Sequence, residues 1–104
     1  MKVLKFGGTS VGSVESIRQI EQIIGRETDE CIVVVSALGG VTDQLLQAAH
    51  LALEPGEAYM EVYQGIRQRH MGMVNSLITN TTARQMLSHE LEGILDELRS
   101  ILFG

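Results

Sequence analysis

The chain has 104 residues, 44% of them apolar, with a formal net charge of -5 and an isoelectric point near 5.0. Its length and apolar share suit one globular unit or a piece of one, and argue against a disordered chain. The acidic balance excludes phosphate-backbone binding as the main activity, because nucleic-acid binders need a basic face, whereas a nucleotide needs only a local positive site.

Residues 2–6 alternate and favour β structure, and Gly7-Gly8 ends them, which predicts a short strand. The same glycines interrupt the N-terminus too early for a signal peptide, and no apolar run approaches the roughly 20 residues of a membrane span, so a cytoplasmic protein without a membrane partner is expected. Ser13 is placed to cap a helix, with Glu15 near its positive end, and Val14, Ile17, Ile20, Ile23 and Ile24 recur at helical spacing up to Gly25. Residues 31–35 form a continuous run, Cys-Ile-Val-Val-Val, expected to be apolar on both faces as in a buried parallel strand. The lone cysteine, Cys31, cannot form an intrachain disulfide and reads as a small buried hydrophobe within that run. Together these segments predict one right-handed strand–helix–strand unit.

Helices are expected from there on. Thr42 is positioned to cap one that carries Leu45, Leu46, Ala48, Ala49 and Ala52 and is broken by Pro55-Gly56. A longer helix presents Tyr59, Val62, Tyr63, Ile66, His70, Met73, Val74 and Leu77 on one face. After a break and cap at Asn80-Thr81-Thr82, Leu87, Leu91, Ile94, Leu95, Leu98, Ile101 and Leu102 form a stripe with charged residues off it. The short connection between these last two helices predicts an antiparallel pair.

The predicted class is therefore α/β, with parallel strands at 2–6 and 31–36 and a helix-rich remainder from 42 on. Two strands are too few for the centre of a covered parallel sheet, and the helices offer more apolar surface than those strands can meet. An incomplete domain is expected over 1–104, in preference to a complete, small, mostly helical one.

The segment richest in chemistry is Lys5-Phe6-Gly7-Gly8-Thr9-Ser10, where a strand hands over to a helix. Glycines there let backbone approach a ligand closely, and main-chain N–H groups ahead of a helix N-terminus make an anion site. Thr9 and Ser10 add hydroxyl donors, and Lys5 adds a compact positive charge. Phosphoryl transfer uses this combination, because its transition state spreads charge over non-bridging oxygens and the protein supplies positioning and electrostatics. The order differs from a Walker loop, in which lysine follows the glycines, and from the dinucleotide G-x-G-x-x-G pattern. The competing reading is a structural turn beside a solvent-facing lysine. Ser36-Ala37-Leu38-Gly39-Gly40-Val41-Thr42-Asp43 repeats the arrangement after the second strand. In open parallel sheets ligands bind beyond the carboxyl ends of the strands, so both loops are expected on one edge, one for a phosphate donor and one for an anionic acceptor. Asp43 reads as a helix-dipole residue rather than a ligand.

The hexapeptide, continued by Val11, resembles the opening signature of aspartate kinases. Val34-Val35-Ser36-Ala37 followed by Gly40-Val41-Thr42-Asp43 is similar to that family's second motif, and Leu53-Glu54-Pro55-Gly56-Glu57 also fits its N-terminal domain. The resemblance covers essentially the whole chain. It implies a three-layer α/β/α sandwich of the amino-acid kinase type and transfer of the γ-phosphoryl group of ATP, with Mg2+, to the side chain of L-aspartate. Lys5 would be the catalytic residue that contacts the phosphoryl group. Lys5, Gly7, Gly8, Thr9 and Ser10 would shape the phosphate end of the nucleotide site, and Ser36 and Thr42 would hold the aspartate. The family's remaining ATP-binding loops and regulatory domains have no counterpart in these residues, so tight ATP binding is not expected of this chain alone. A homo-oligomeric parent is implied, in some members fused to a homoserine dehydrogenase.

His70 lies on the apolar face of its helix and is expected to be partly buried and bonded to a neighbouring element. His50 and His89 read as surface residues, the five methionines as gap-filling side chains, and no metal site is expected. Two other readings stay open at this level. One is a kinase of the same superfamily with another carboxylate, carbamate or phosphate acceptor. The other is a helical interaction module with purely structural glycine turns.

Overall fold

The computed structural model describes residues Met1–Gly104, which divide into two compact units, Met1–Thr42 and Asp43–Gly104. The first unit is β1 (Lys2–Phe6), α1 (Val14–Gly25) and β2 (Cys31–Val35). The strands pair in parallel, in register from Lys2↔Cys31 to Phe6↔Val35. The ladder is extended at one end by Lys2 N–H to Glu30 O at 3.0 Å and at the other by Ser36 N–H to Phe6 O at 3.1 Å. The expected end of the second strand at 36 is therefore one residue late. Ser36 keeps the last main-chain bond, but its hydroxyl donates to Ala37 O at 2.9 Å as the chain leaves the sheet.

Helix α1 begins as its sequence predicts. The Ser13 hydroxyl accepts from Ser16 N–H at 3.1 Å, and the Ser16 hydroxyl accepts from Ser13 N–H at 3.1 Å. This reciprocal cap satisfies two of the donors a helix start leaves unpaired, here with serine in the place glutamate or glutamine usually takes. Ile20 is buried in its apolar face, and Val11, in the preceding loop, is buried as well. In β1, Leu4 and Phe6 are half-buried while Val3 and Lys5 are exposed, so the alternation of the strand gives it one sheltered face and one open face.

The expectation that residues 31–35 are buried on both faces is corrected. Ile32 is 52% exposed and Val35 57%, and Cys31 is half-buried. The run has the composition of an interior strand, but the sheet has only two strands, and such a pair cannot shield either its edges or its faces.

Helix α2 (Val41–Ala52) starts at the end of the first unit and continues into the second, where α3 (Tyr59–Leu77) and α4 (Thr81–Phe103) follow. Thr42 is not the cap the sequence suggested. A turn closed by Val41 N–H to Leu38 O at 3.0 Å, with Gly40 at φ 85°, starts the helix at Val41 and leaves Thr42 inside its first turn. That φ is open to glycine at little cost, and it is what a type II turn asks of its third residue.

Helices α3 and α4 run antiparallel. The Tyr63 hydroxyl donates to Leu95 O at 3.1 Å and Arg67 Nη2 to Glu92 Oε1 at 3.2 Å, so partners fall in number on one helix as they rise on the other. Around this seam Ala48, Tyr59, Tyr63, Ile66, Leu95 and Leu102 form the core of the second unit. Asn80 caps α4 by accepting from Ala83 N–H at 2.9 Å. The predicted stripe on α4 splits: Leu95 and Leu102 are buried, whereas Ile94 and Ile101 are 64% and 76% exposed. A stripe this wide exceeds what one partner helix covers. His70 is half-buried as expected, but its Nδ1 lies 2.7 Å from Ile66 O of its own helix rather than against a neighbouring element. The i−4 carbonyl is the nearest acceptor to a ring held on that face. His50 and His89 are exposed, as expected.

Candidate functional site

Parallel, in-register strands send their outgoing loops from one edge of the sheet. The loop after β1, residues 7–13, and the loop after β2, residues 36–40, leave side by side, joined at their base by the Ser36–Phe6 main-chain bond. The first loop closes on itself through Val11 N–H to Gly7 O at 3.1 Å and Gly12 N–H to Thr9 O at 3.3 Å. These bonds leave the N–H groups of Gly8, Thr9 and Ser10 outside the turn's own bonding, which is how a loop presents main-chain donors to an anion. Thr9 and Ser10 are exposed and Gly8 is half-buried.

The loops touch backbone to backbone. A Cβ on Gly8 would lie 3.4 Å from Gly39 Cα and 3.8 Å from Ser36 Oγ. A Cβ on Gly39 would lie 2.9 Å from the Gly8 carbonyl oxygen. At Gly7 an added Cβ would meet open space. Ser36 is thus set directly beside the first glycine loop, with its hydroxyl turned back to Ala37 O.

Lys5 is exposed on the open face of β1, one residue before the strand ends. It takes part in neither the Lys2–Glu27 pair at 3.1 Å nor the Arg67–Glu92 pair at 3.2 Å. All seven sequence-predicted site residues, Lys5, Gly7, Gly8, Thr9, Ser10, Ser36 and Thr42, belong to the unit Met1–Thr42. The structure brings Gly8 and Ser36 together, while Lys5 stands on β1 and Thr42 in the first turn of α2. Gly39 and Gly12 were not singled out from the sequence. The doublet Gly39-Gly40 marks a tight turn, but nothing in it says that Gly39 meets Gly8.

A family model for amino acid kinases matches residues 1–98. The chain belongs to the amino acid kinase family. Its parallel strand pair, crossover helix and helix-rich remainder are part of the α/β fold of that family. Among curated members, a chloroplastic bifunctional aspartokinase/homoserine dehydrogenase 2 of Arabidopsis thaliana is 31% identical over 96% of this chain and 11% of its own length. An aspartokinase of Chlamydia trachomatis is 43% identical over 72% of this chain and 16% of its own length. The lysine-sensitive aspartokinase 3 of Escherichia coli is 33% identical over 88% of this chain and 20% of its own length. The chain therefore spans a fifth or less of each of these relatives. No helix is long and apolar enough to cross a membrane.

Proposed function

We propose that this chain supplies part of an aspartate kinase active site, in which the γ-phosphoryl group of ATP passes to the side-chain carboxylate of L-aspartate. The product, aspartyl phosphate, would enter the biosynthesis of lysine, threonine and methionine. The observation that carries the reading is the contact of the two glycine loops at the carboxyl edge of the sheet, with Ser36 beside Gly8 and Lys5 at the strand end. The names of the relatives support the choice of acceptor.

In this reading the N–H groups of the first loop, with the Thr9 and Ser10 hydroxyls, hold the phosphates of ATP. Lys5 stabilises negative charge on the oxygens of the transferring group. Ser36 and Thr42 hold aspartate at the neighbouring loop. A carboxylate oxygen attacks the γ-phosphorus, the bond to the bridging oxygen breaks, and its electron pair leaves on ADP. The attacking group is already an anion, so no base has to remove a proton. These residues contain no cluster of three acidic, imidazole or thiol groups. The Mg2+ that accompanies ATP would thus be held here through the phosphates, where it would neutralise charge. The nucleotide contacts available from this chain are few, so the activity is assigned to the longer protein that carries it, which would act in the cytoplasm or an organelle as a homo-oligomer.

The test is Lys5→Ala in that longer protein, assayed for phosphoryl transfer to aspartate, glutamate and carbamate. Loss of the lysine should lower kcat about a hundredfold, about 3 kcal/mol of transition-state stabilisation. An unchanged rate in a folded variant, or a wild type active only with another acceptor, would overturn the reading.

A further inference from the structure

We infer that Gly39 is a positioning residue for phosphoryl transfer: its bare Cα lets the acceptor loop close onto the Gly8 carbonyl and so fixes the gap between the two loops. The inference rests on the function proposed above. Positive φ values among the glycines occur only at Gly40, Gly56 and Gly104, so neither Gly39 nor Gly12 is glycine for conformational freedom. Space is the reason. The Gly8 carbonyl oxygen is held between two glycines, 2.9 Å from where a Cβ of Gly39 would stand and 3.1 Å from where a Cβ of Gly12 would stand. The first distance is closer than Cβ atoms come to a non-bonded neighbour, and the neighbour that would have to yield is backbone, which cannot rotate away as a side-chain tip would. Any side chain at 39 therefore moves one loop relative to the other.

In-line transfer needs the reacting atoms about 3–3.5 Å apart, and a misplacement of about 1 Å costs on the order of a hundredfold. Restoring ordinary contact at Gly39 needs a displacement of about half that, so Gly39→Ala should lower kcat about tenfold. Each loop would keep its own ligands, so the apparent affinities for ATP and for aspartate should hold. Gly12→Ala presses on the same oxygen from the other side with a milder overlap and should give a smaller fall in the same direction. Gly25→Ala, at the end of α1 with nothing within 4 Å of the added carbon, is the neutral control.

The experiment measures kcat and KM for ATP and aspartate in the full-length protein for all three variants, with thermal melting to confirm folding. Supporting results are a kcat fall ordered Gly39→Ala, then Gly12→Ala, then Gly25→Ala, with both KM values near wild type. An unchanged kcat in folded Gly39→Ala, or a fall that tracks lost KM or lost folded fraction, overturns the inference. If Gly39→Ala does not fold, the comparison of Gly12→Ala with Gly25→Ala decides. If the wild type uses an acceptor other than aspartate, the acceptor assignment fails, and the same series on that acceptor still judges the positioning role.

Discussion

The side chains of Tyr63 and Lys2 each make one polar contact, and burial separates their worth. Tyr63 is 2% exposed and its hydroxyl donates to Leu95 O at 3.1 Å across the α3–α4 seam. Removing only that hydroxyl in Tyr63→Phe should cost about 1 kcal/mol, read as a lower denaturant midpoint with an unchanged slope. Lys2 pairs with Glu27 at 3.1 Å, but its side chain is 53% exposed, so water and salt screen the pair. Lys2→Ala should cost less than Tyr63→Phe, and less still at high salt, within about 1 kcal/mol. The opposite ranking would mean that the seam is not a desolvated contact. His70 shows what one residue's sequence context conveys. Its face on the helix follows from the spacing, but its partner, the Ile66 carbonyl, depends on a ring torsion that spacing does not encode.

Among the elements, the helix starts differ in how visible they are. Ser13 and Asn80 cap α1 and α4 with side-chain oxygens, and both were legible because capping is local chemistry. Asn80→Ala should destabilise the second unit by about 1 kcal/mol and Asn80→Gly by only a few tenths, since glycine is tolerated at that position. Urea unfolding followed by circular dichroism would measure both, and equal losses would argue against the amide-oxygen cap seen here. Helix α2 starts two residues earlier than a Thr42 cap predicts, because its start is set by a turn through Gly40 and not by a capping side chain. On α4 the periodicity gave the stripe, but only contact with α3 decided that Leu95 and Leu102 would be the buried members and Ile94 and Ile101 the exposed ones.

For the molecule as a whole, the exposed apolar residues set its behaviour in solution. Val3, Ile32, Val35, Ile94, Ile101 and Phe103 are all more than half exposed, which is unusual for an isolated soluble chain. Residues 1–104 expressed alone should therefore associate as concentration rises, seen as a growing mass in analytical ultracentrifugation. A monodisperse monomer across that range would show that these surfaces need no cover.

What the sequence determined by itself was everything local. One alternating segment, one continuous β-favouring run and period-3.6 patterns located two strands and four helices, serine and asparagine marked two helix starts, and two glycine loops after β-favouring runs carried the family resemblance. Only the tertiary structure decided what depends on distances between segments far apart in the chain. The shared edge of the two loops follows from the parallel pairing the sequence predicts, but only the folded backbone set Gly8 against Gly39 across 31 positions of sequence. It also left β2 open, because burial belongs to neighbours and not to composition. Local signals are written in adjacent residues; the approach of two backbones is an outcome of how the whole sheet closes, and no single residue type announces it.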